Sequence, residues 1–305
     1  MSEREQGQSM PAGSPAKAGR NLERKAPQPD RRSFLWMASL VGAGGALGLG
    51  ALLDGAPAKA GSLPPPESDR QGEQGHDEND FDVKKRDTDI LIAAEIAEAL
   101  AVTTYSNIIN TAPFFSRLAS DDQGYLIAAR EEEMSHYLLE QSVTSQPSPF
   151  TTFFYPPKMF SDAQTTLNIL VTLEDAFIAA YLVGVRNFST PDLRVTAARI
   201  MGIESDHRTL ARVVGPGVSM LDGGPIEDIT GFAGVAESVD PPNNNGYERT
   251  LCWSKIEQAV AALTPFADMT AAKNAGFDIT KPYIFQPFTP TLPSQLGAFV
   301  SFKGC

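Results

Sequence analysis

The 305-residue chain has few of the residues that build cysteine-based or histidine-based sites, with only two cysteines and three histidines. Two cysteines cannot form a disulfide scaffold or a cysteine-rich zinc site. Basic residues are also scarce, because 25 Lys and Arg stand against 37 Asp and Glu, for a formal net charge of −12. This charge argues against a nucleic-acid or anionic-membrane partner. Because the chain has only three histidines, any histidine-based chemistry must use His76, His136 or His207.

The N-terminal 60 residues have the features of an export signal. Residues 31–35 are Arg-Arg-Ser-Phe-Leu, an uncharged stretch covers residues 36–53, and residues 58–60 are Ala-Lys-Ala. Paired arginines followed by Phe-Leu resemble the twin-arginine signal. A transmembrane anchor is the alternative, but a stable span usually has about 20 strongly apolar residues, and this stretch is rich in glycine. We therefore expect cleavage after Ala60, a periplasmic or secreted protein, and no stable membrane insertion afterwards.

After the signal, residues 61–86 are rich in Pro, Gly and acidic residues, and we expect a disordered linker. From residue 87 onwards, apolar residues recur at helical spacing. The boundary signals predict four helices, at about residues 88–110, 120–142, 161–187 and 190–214. Ser-x-x-Gln capping boxes at Ser120 and Ser161 predict two of the helix starts.

The lengths of the connections predict an all-α fold. The links between helices one and two and between helices three and four are short, which favours antiparallel neighbours. About eighteen residues join helices two and three, and they can run the full length of a bundle. A four-helix bundle with one long crossover, over residues 87–215, is the ferritin-like arrangement. We expect residues 216–305 to form an irregular C-terminal extension that packs on it.

Two Glu-x-x-His pairs carry the candidate chemistry, Glu133 with His136 and Glu204 with His207. Residues three apart share one face of a helix, so each pair can direct a carboxylate and an imidazole at one point. Helices one and three each contain Glu-x6-Tyr, formed by Glu98 with Tyr105 and by Glu174 with Tyr181.

This pattern resembles the ferritin-like di-iron carboxylate superfamily, and the exported ferritin-like proteins that include the desiccation-related family are the most similar group. The superfamily uses one Glu from each of two helices and Glu-x-x-His from each of the other two. The resemblance implies six metal ligands: Glu98, Glu133, His136, Glu174, Glu204 and His207. It also implies two iron ions as cofactor, with manganese as the alternative.

Several assignments stay open at this stage. Glu95 is an alternative to Glu98 in helix one. Glu132 and Asp206 are adjacent to ligand candidates but point away from the shared helix face, so we expect both to be solvated. Tyr105 and Tyr181 are candidate hydrogen-bond donors to the ligands or redox-active residues, and core aromatics with a solvated hydroxyl are the alternative. The histidines could instead lie on polar helix faces with no metal. Glu174 argues against this, because an unpaired carboxylate in its apolar segment would be costly.

Two functions from different classes follow from this resemblance. The first is an oxidoreductase that oxidises ferrous iron or detoxifies peroxide, with metal ions and dioxygen or peroxide as its partners. The lack of a Cys-x-x-Cys motif argues against peroxide reduction of the rubrerythrin type. The second is a non-catalytic stress or desiccation protein of the cell envelope, in which the bundle is a metal-stabilised or metal-free scaffold.

The C-terminal extension contains one predicted amphipathic helix, at about residues 252–263. Residues 283–302 are expected to pack along the bundle as extended chain, where they could cover the site or mediate a homodimer. Cys252 and Cys305 are candidates for a disulfide in an oxidising compartment.

Overall fold

The computed structural model describes residues 76–213 and 251–291, and the predicted signal segment lies outside them. The helices and strands are α1 (His76–Thr111), α2 (Ser120–Thr144), β1 (Thr152–Phe153), α3 (Ala163–Asn187), α4 (Pro191–Val213), α5 (Ile256–Ala267), α6 (Met269–Asn274) and β2 (Tyr283–Ile284). The predicted all-α four-helix bundle, with one long crossover between its second and third helices, is confirmed.

Helix α1 begins twelve residues earlier than the sequence pattern indicates, so residues 76–86 of the expected linker are helical. Two contacts stabilise this additional length. Lys85 pairs with Asp89 one turn away at 2.5 Å, a spacing that supports helix formation. Asp87 is buried and accepts a hydrogen bond from the backbone N–H of Ser189, in the connection between α3 and α4, at 3.1 Å.

The helix starts depend on caps that the sequence identifies only in part. Helix α2 has Ala119 at its N-cap with no side-chain cap, so the capping box predicted at Ser120 is wrong. The box predicted at Ser161 is also wrong, because Asp162 caps α3 by accepting from the N–H of Thr165 at 2.8 Å. Thr190 caps α4 by accepting a 3.3 Å hydrogen bond from the N–H of Leu193.

The bundle is built from two antiparallel helix pairs, α1 with α2 and α3 with α4. Helices α3 and α4 approach closely beside Gly184, where an added Cβ would lie 3.3 Å from Cβ of Ala197 on α4 and 2.8 Å from the Phe188 ring. Helix α3 is the one described helix that is long and apolar enough to cross a membrane, but two thirds of its apolar window is buried inside the protein. Burial identifies it as a core helix of the bundle.

The C-terminal region packs on the bundle and on the crossover. The helix predicted at residues 252–263 is present as α5, and it buries Ile256, Val260 and Phe266 against α1 and α3. Strand β2 pairs antiparallel with β1 of the crossover. The extended chain then continues to Thr291, whose N–H donates to Glu131 of α2 at 2.6 Å. It therefore packs along the bundle as expected up to residue 291, and residues 292–302 lie outside the described part.

Candidate metal centre

Six acidic and imidazole side chains meet in the middle of the bundle, and we call them the Glu/His cluster. They form two overlapping groups, and within each group one ligand atom from every residue lies within 4.8 Å of the others. The first group is Glu98, Glu133, His136 and Glu204, and the second is Glu133, Glu174, Glu204 and His207. The structure thus brings together all six ligands that the resemblance implies, with Glu133 and Glu204 shared.

Both imidazoles turn their Nδ1 atoms towards the carboxylates. Nδ1 of His136 lies 3.2 Å from Oε1 of Glu204 and 3.6 Å from Oε2 of both Glu98 and Glu133. Nδ1 of His207 lies 2.9 Å from Oε1 of Glu133 and 3.5 Å from Oε2 of Glu204. Each histidine therefore contacts a carboxylate of the opposite helix pair as well as the Glu three residues before it.

The cluster is buried, and several of its atoms lack hydrogen-bond partners. None of the six residues is more than 9% exposed. Within the described structure, one oxygen each of Glu98, Glu133 and Glu174, both oxygens of Glu204, and Nδ1 of His136 are buried without a hydrogen-bond partner. Unpartnered buried carboxylates are costly. A cation among them would satisfy these atoms, so the donor set fits a metal.

Burial and neighbouring negative charge favour the neutral form of the two outer carboxyl groups of the cluster, Glu98 and Glu174, when no metal is bound. Burial raises the pKa of Glu98 and of Glu174 well above the usual range. The negative charges of Glu133 and Glu204 raise both values further. A cation bound among these groups would favour their ionised form instead.

The pKa values of the two imidazoles and of the shared Glu133 are shifted in the opposite sense, towards the charged forms. Burial alone would lower the pKa of His136 and His207, but the charge of Glu98 next to His136 and of Glu133 next to His207 raises both values. Burial alone would raise the pKa of Glu133, but the charge of His207, the hydrogen bond to His207 and the nearby His136 imidazole lower it. The carboxylates thus favour the protonated form of both imidazoles, and each imidazole must lose its proton before it can bind metal.

The two tyrosines connect the helix pairs reciprocally. Tyr105 of α1 donates to Oε1 of Glu174 on α3 at 2.7 Å, and Tyr181 of α3 donates to Glu98 on α1. Both side chains are buried, so these hydroxyls bond inside the protein rather than to solvent. Tyr181 also lies 2.6 Å from Oε1 of Glu140. Since one phenol proton cannot serve two carboxylates, one of these two carboxyls must carry its own proton.

Sequence reasoning missed Glu140, which is 3% exposed and has an unpartnered oxygen. A signal for it was present, because Glu133, His136 and Glu140 are spaced by three and four residues and share one face of α2. Glu95, the alternative ligand of helix one, lies outside both groups and accepts a hydrogen bond from Thr144.

The structure corrects the placement of one neighbour of the cluster. Glu132 was expected to point away into solvent, but its Oε2 lies 2.9 Å from Nε2 of His207. A carboxylate in this position orients the ring and leaves Nδ1 free for a metal. Asp206, which the sequence also places in solvent, is exposed. Cys252 is exposed and Cys305 lies outside the described residues, so their disulfide stays a prediction.

Comparison with known proteins is consistent with this geometry. Residues 86–215 match the sequence model of a protein family described as "Ferritin-like domain". The matched segment covers most of α1, all of α2, α3 and α4, and the whole Glu/His cluster, and it supports placement of the bundle in the ferritin-like superfamily. No curated protein and no solved structure matches the chain.

Proposed function

We propose that the bundle binds two iron ions in the Glu/His cluster and that the loaded protein oxidises ferrous iron. The observation that carries this proposal is the pair of overlapping groups, each with three carboxylates and one imidazole, buried and with unpartnered oxygens directed together. Glu98 and His136 would hold one ion, Glu174 and His207 would hold the other, and Glu133 and Glu204 would contribute to both.

The donor set also limits the choice of metal. Four carboxylates and two imidazoles offer oxygen and nitrogen ligands, which suit iron or manganese better than copper. A structural zinc site usually has four ligands in all. Two divalent ions would neutralise the four carboxylate charges, so the loaded centre would have no net charge in its apolar surroundings. Manganese is therefore the alternative metal.

When bound, a pair of ferrous ions supplies two electrons to dioxygen or to peroxide. With dioxygen, the balanced reaction consumes two protons and yields two ferric ions and one hydrogen peroxide. With peroxide, it consumes two protons and yields two ferric ions and two waters. The Tyr181 hydroxyl contacts both Glu98 and Glu140, so this group of residues can hold one of the required protons. The near-complete burial of the cluster excludes bulk water.

Metal analysis combined with an oxidation assay tests this proposal. Metal-free protein should bind two ferrous ions under anaerobic conditions and oxidise them rapidly on exposure to oxygen. Glu133→Ala and Glu174→Ala should lose metal binding, whereas Glu257→Ala, at an exposed position of α5, should keep it. If either cluster variant still binds two ions while folded by circular dichroism, the site is misassigned. Bound metal without turnover would instead support a metal-stabilised scaffold in stress or desiccation tolerance.

We propose further that the protein is exported by the twin-arginine pathway and acts in the cell envelope, as the desiccation-related resemblance implies. The support is the Arg-Arg-Ser-Phe-Leu sequence of residues 31–35 and the small residues before Gly61. Replacing Arg31 and Arg32 by Lys should retain the uncleaved protein in the cytoplasm. N-terminal sequencing of the exported wild-type protein should begin at Gly61, and export of the Lys variant at the wild-type level would contradict the proposal.

A further inference from the structure

Two apolar cavities, each partly open to the protein surface, have volumes of about 30 Å³, and the first reaches Glu140 and Tyr181 beside the Glu/His cluster. The first lies among all four bundle helices and the start of α5, and the second lies between α1, α3 and α5. Ala97, Ala180 and Ile256 line both cavities, so the two spaces meet at the same three side chains. Nearly all the atoms that face the cavities are apolar.

The first cavity ends close to the cluster. Glu140 and Tyr181 are part of its lining, and the hydroxyl of Tyr181 donates to Glu98. Glu140 is 3% exposed, and its second oxygen has no hydrogen-bond partner in the described structure. The cavity therefore ends one side chain away from Glu98, beside an unpartnered buried carboxyl group.

The size and the walls of the cavities restrict what they can hold. A space of about 30 Å³ accommodates only a very small molecule. A buried water typically makes about three hydrogen bonds, and the walls of the first cavity offer polar groups mainly at Glu140 and Tyr181, whereas apolar spaces bind species such as xenon. Hydrogen peroxide, with two hydroxyl groups, would lose hydrogen bonds on entering these walls. An apolar diatomic gas makes no strong hydrogen bonds with water, so it loses none when it enters the cavities.

We propose that these two cavities form a binding route for dioxygen, which makes dioxygen rather than peroxide the oxidant that reaches the centre. This inference rests on the proposed iron oxidation and names its co-substrate. Helix α5 provides one wall of the route through Ile256, Val260 and Leu263, and it lies outside the segment that matches the ferritin-like family. The C-terminal region thus forms part of the path by which dioxygen would reach the centre.

Xenon binding tests the cavities independently of iron chemistry. In metal-free, full-length protein with labelled alanine methyl groups, xenon should shift the signals of Ala97 and Ala180 and leave that of the exposed Ala128 unchanged. Ala180→Leu fills the space and should abolish the xenon shift at Ala97, whereas Ala128→Leu should preserve it. No xenon response at Ala97 and Ala180 in the wild type would overturn the proposal.

The iron assay then tests the route. Ala180→Leu should still bind two iron ions and should oxidise them severalfold more slowly with dioxygen, at an unchanged rate with added peroxide. Equal loss with both oxidants, or an unchanged rate with dioxygen, would overturn the route. Failure of the wild type to bind iron would refute the proposed function and leave the xenon result interpretable. If Ala180→Leu does not fold, Ile256→Ala should enlarge the space and increase xenon binding, and unchanged binding would overturn the proposal.

Discussion

Replacing Glu95 by Gln should stabilise the metal-free protein at neutral pH and leave its metal content unchanged. Glu95 is 1% exposed and accepts a hydrogen bond from Thr144, but it lies outside the Glu/His cluster. Gln keeps the shape and the acceptor oxygen of the side chain and removes only its charge. The variant therefore separates the burial of a charge from the binding of a metal.

The magnitude follows from the pKa of this carboxyl. Burial raises the pKa of Glu95 from 4.5 to about 7, although the hydrogen bond from Thr144 acts in the opposite direction. The folded state thus binds the proton more tightly than the unfolded state. The stabilisation from Glu95 is fully present below pH 4.5 and is lost as the pH rises through 7. At about 1.4 kcal/mol per pKa unit, the loss amounts to about 3 kcal/mol.

Urea unfolding of metal-free protein between pH 4.5 and pH 8 measures this effect. The free energy of unfolding of Glu95→Gln should equal that of the wild type near pH 4.5 and exceed it by about 3 kcal/mol at pH 8. Glu257→Gln, at an exposed position of α5, should match the wild type throughout. A difference that does not vary with pH would refute the reasoning, because Glu95 would then not ionise in this range. Loss of a metal ion from the variant would show that Glu95 is a ligand.

Three further outcomes are expected. Glu132→Ala should weaken metal binding by about 10-fold to 100-fold, because His207 loses the carboxylate that orients its ring. Calorimetric titration with metal would measure this loss, with Asp206→Asn at an exposed position as the control. Iron added at about 100 times its dissociation constant should raise the free energy of unfolding by about 2.7 kcal/mol for each ion bound, and an unchanged melting temperature would contradict specific binding. Gly184→Ala should destabilise the protein by about 1 to 3 kcal/mol through overpacking against Phe188. Gly202→Ala should cause no such destabilisation, because an added Cβ there meets nothing within 4 Å.

The centre was predictable because its ligands depend on the periodicity of single helices. Glu133 with His136 and Glu204 with His207 are three residues apart, and helix geometry places each pair on one face whatever surrounds it. The seven-residue spacing from Glu98 to Tyr105 likewise follows from two turns of one helix. Neither inference needs any knowledge of how one helix packs against another.

Features that depend on contacts between helices were not predictable in this way. Glu132 is adjacent to Glu133 and so lies on a different part of the α2 surface, yet the His207 ring reaches it from α4. A pattern within one helix contains no information about that distance. The caps were wrong for a related reason, because Ser120 and Ser161 have the right residue type, but the backbone places Ala119 and Asp162 at the N-cap positions.

The position of the cluster within the fold gives a metal a structural consequence as well as a chemical one. Helices α1 and α2 pack on each other along their lengths, as do α3 and α4, and contacts between the two pairs are fewer. The bonds of the centre run between the pairs: His207 reaches Glu133, and Tyr105 reaches Glu174. Metal ions with ligands from both pairs would therefore join the two helix pairs to each other, where helix-to-helix contacts are fewest. Without metal, that junction relies on the hydrogen bonds and imidazole–carboxylate contacts of the cluster, so metal occupancy should strengthen the cohesion of the two pairs.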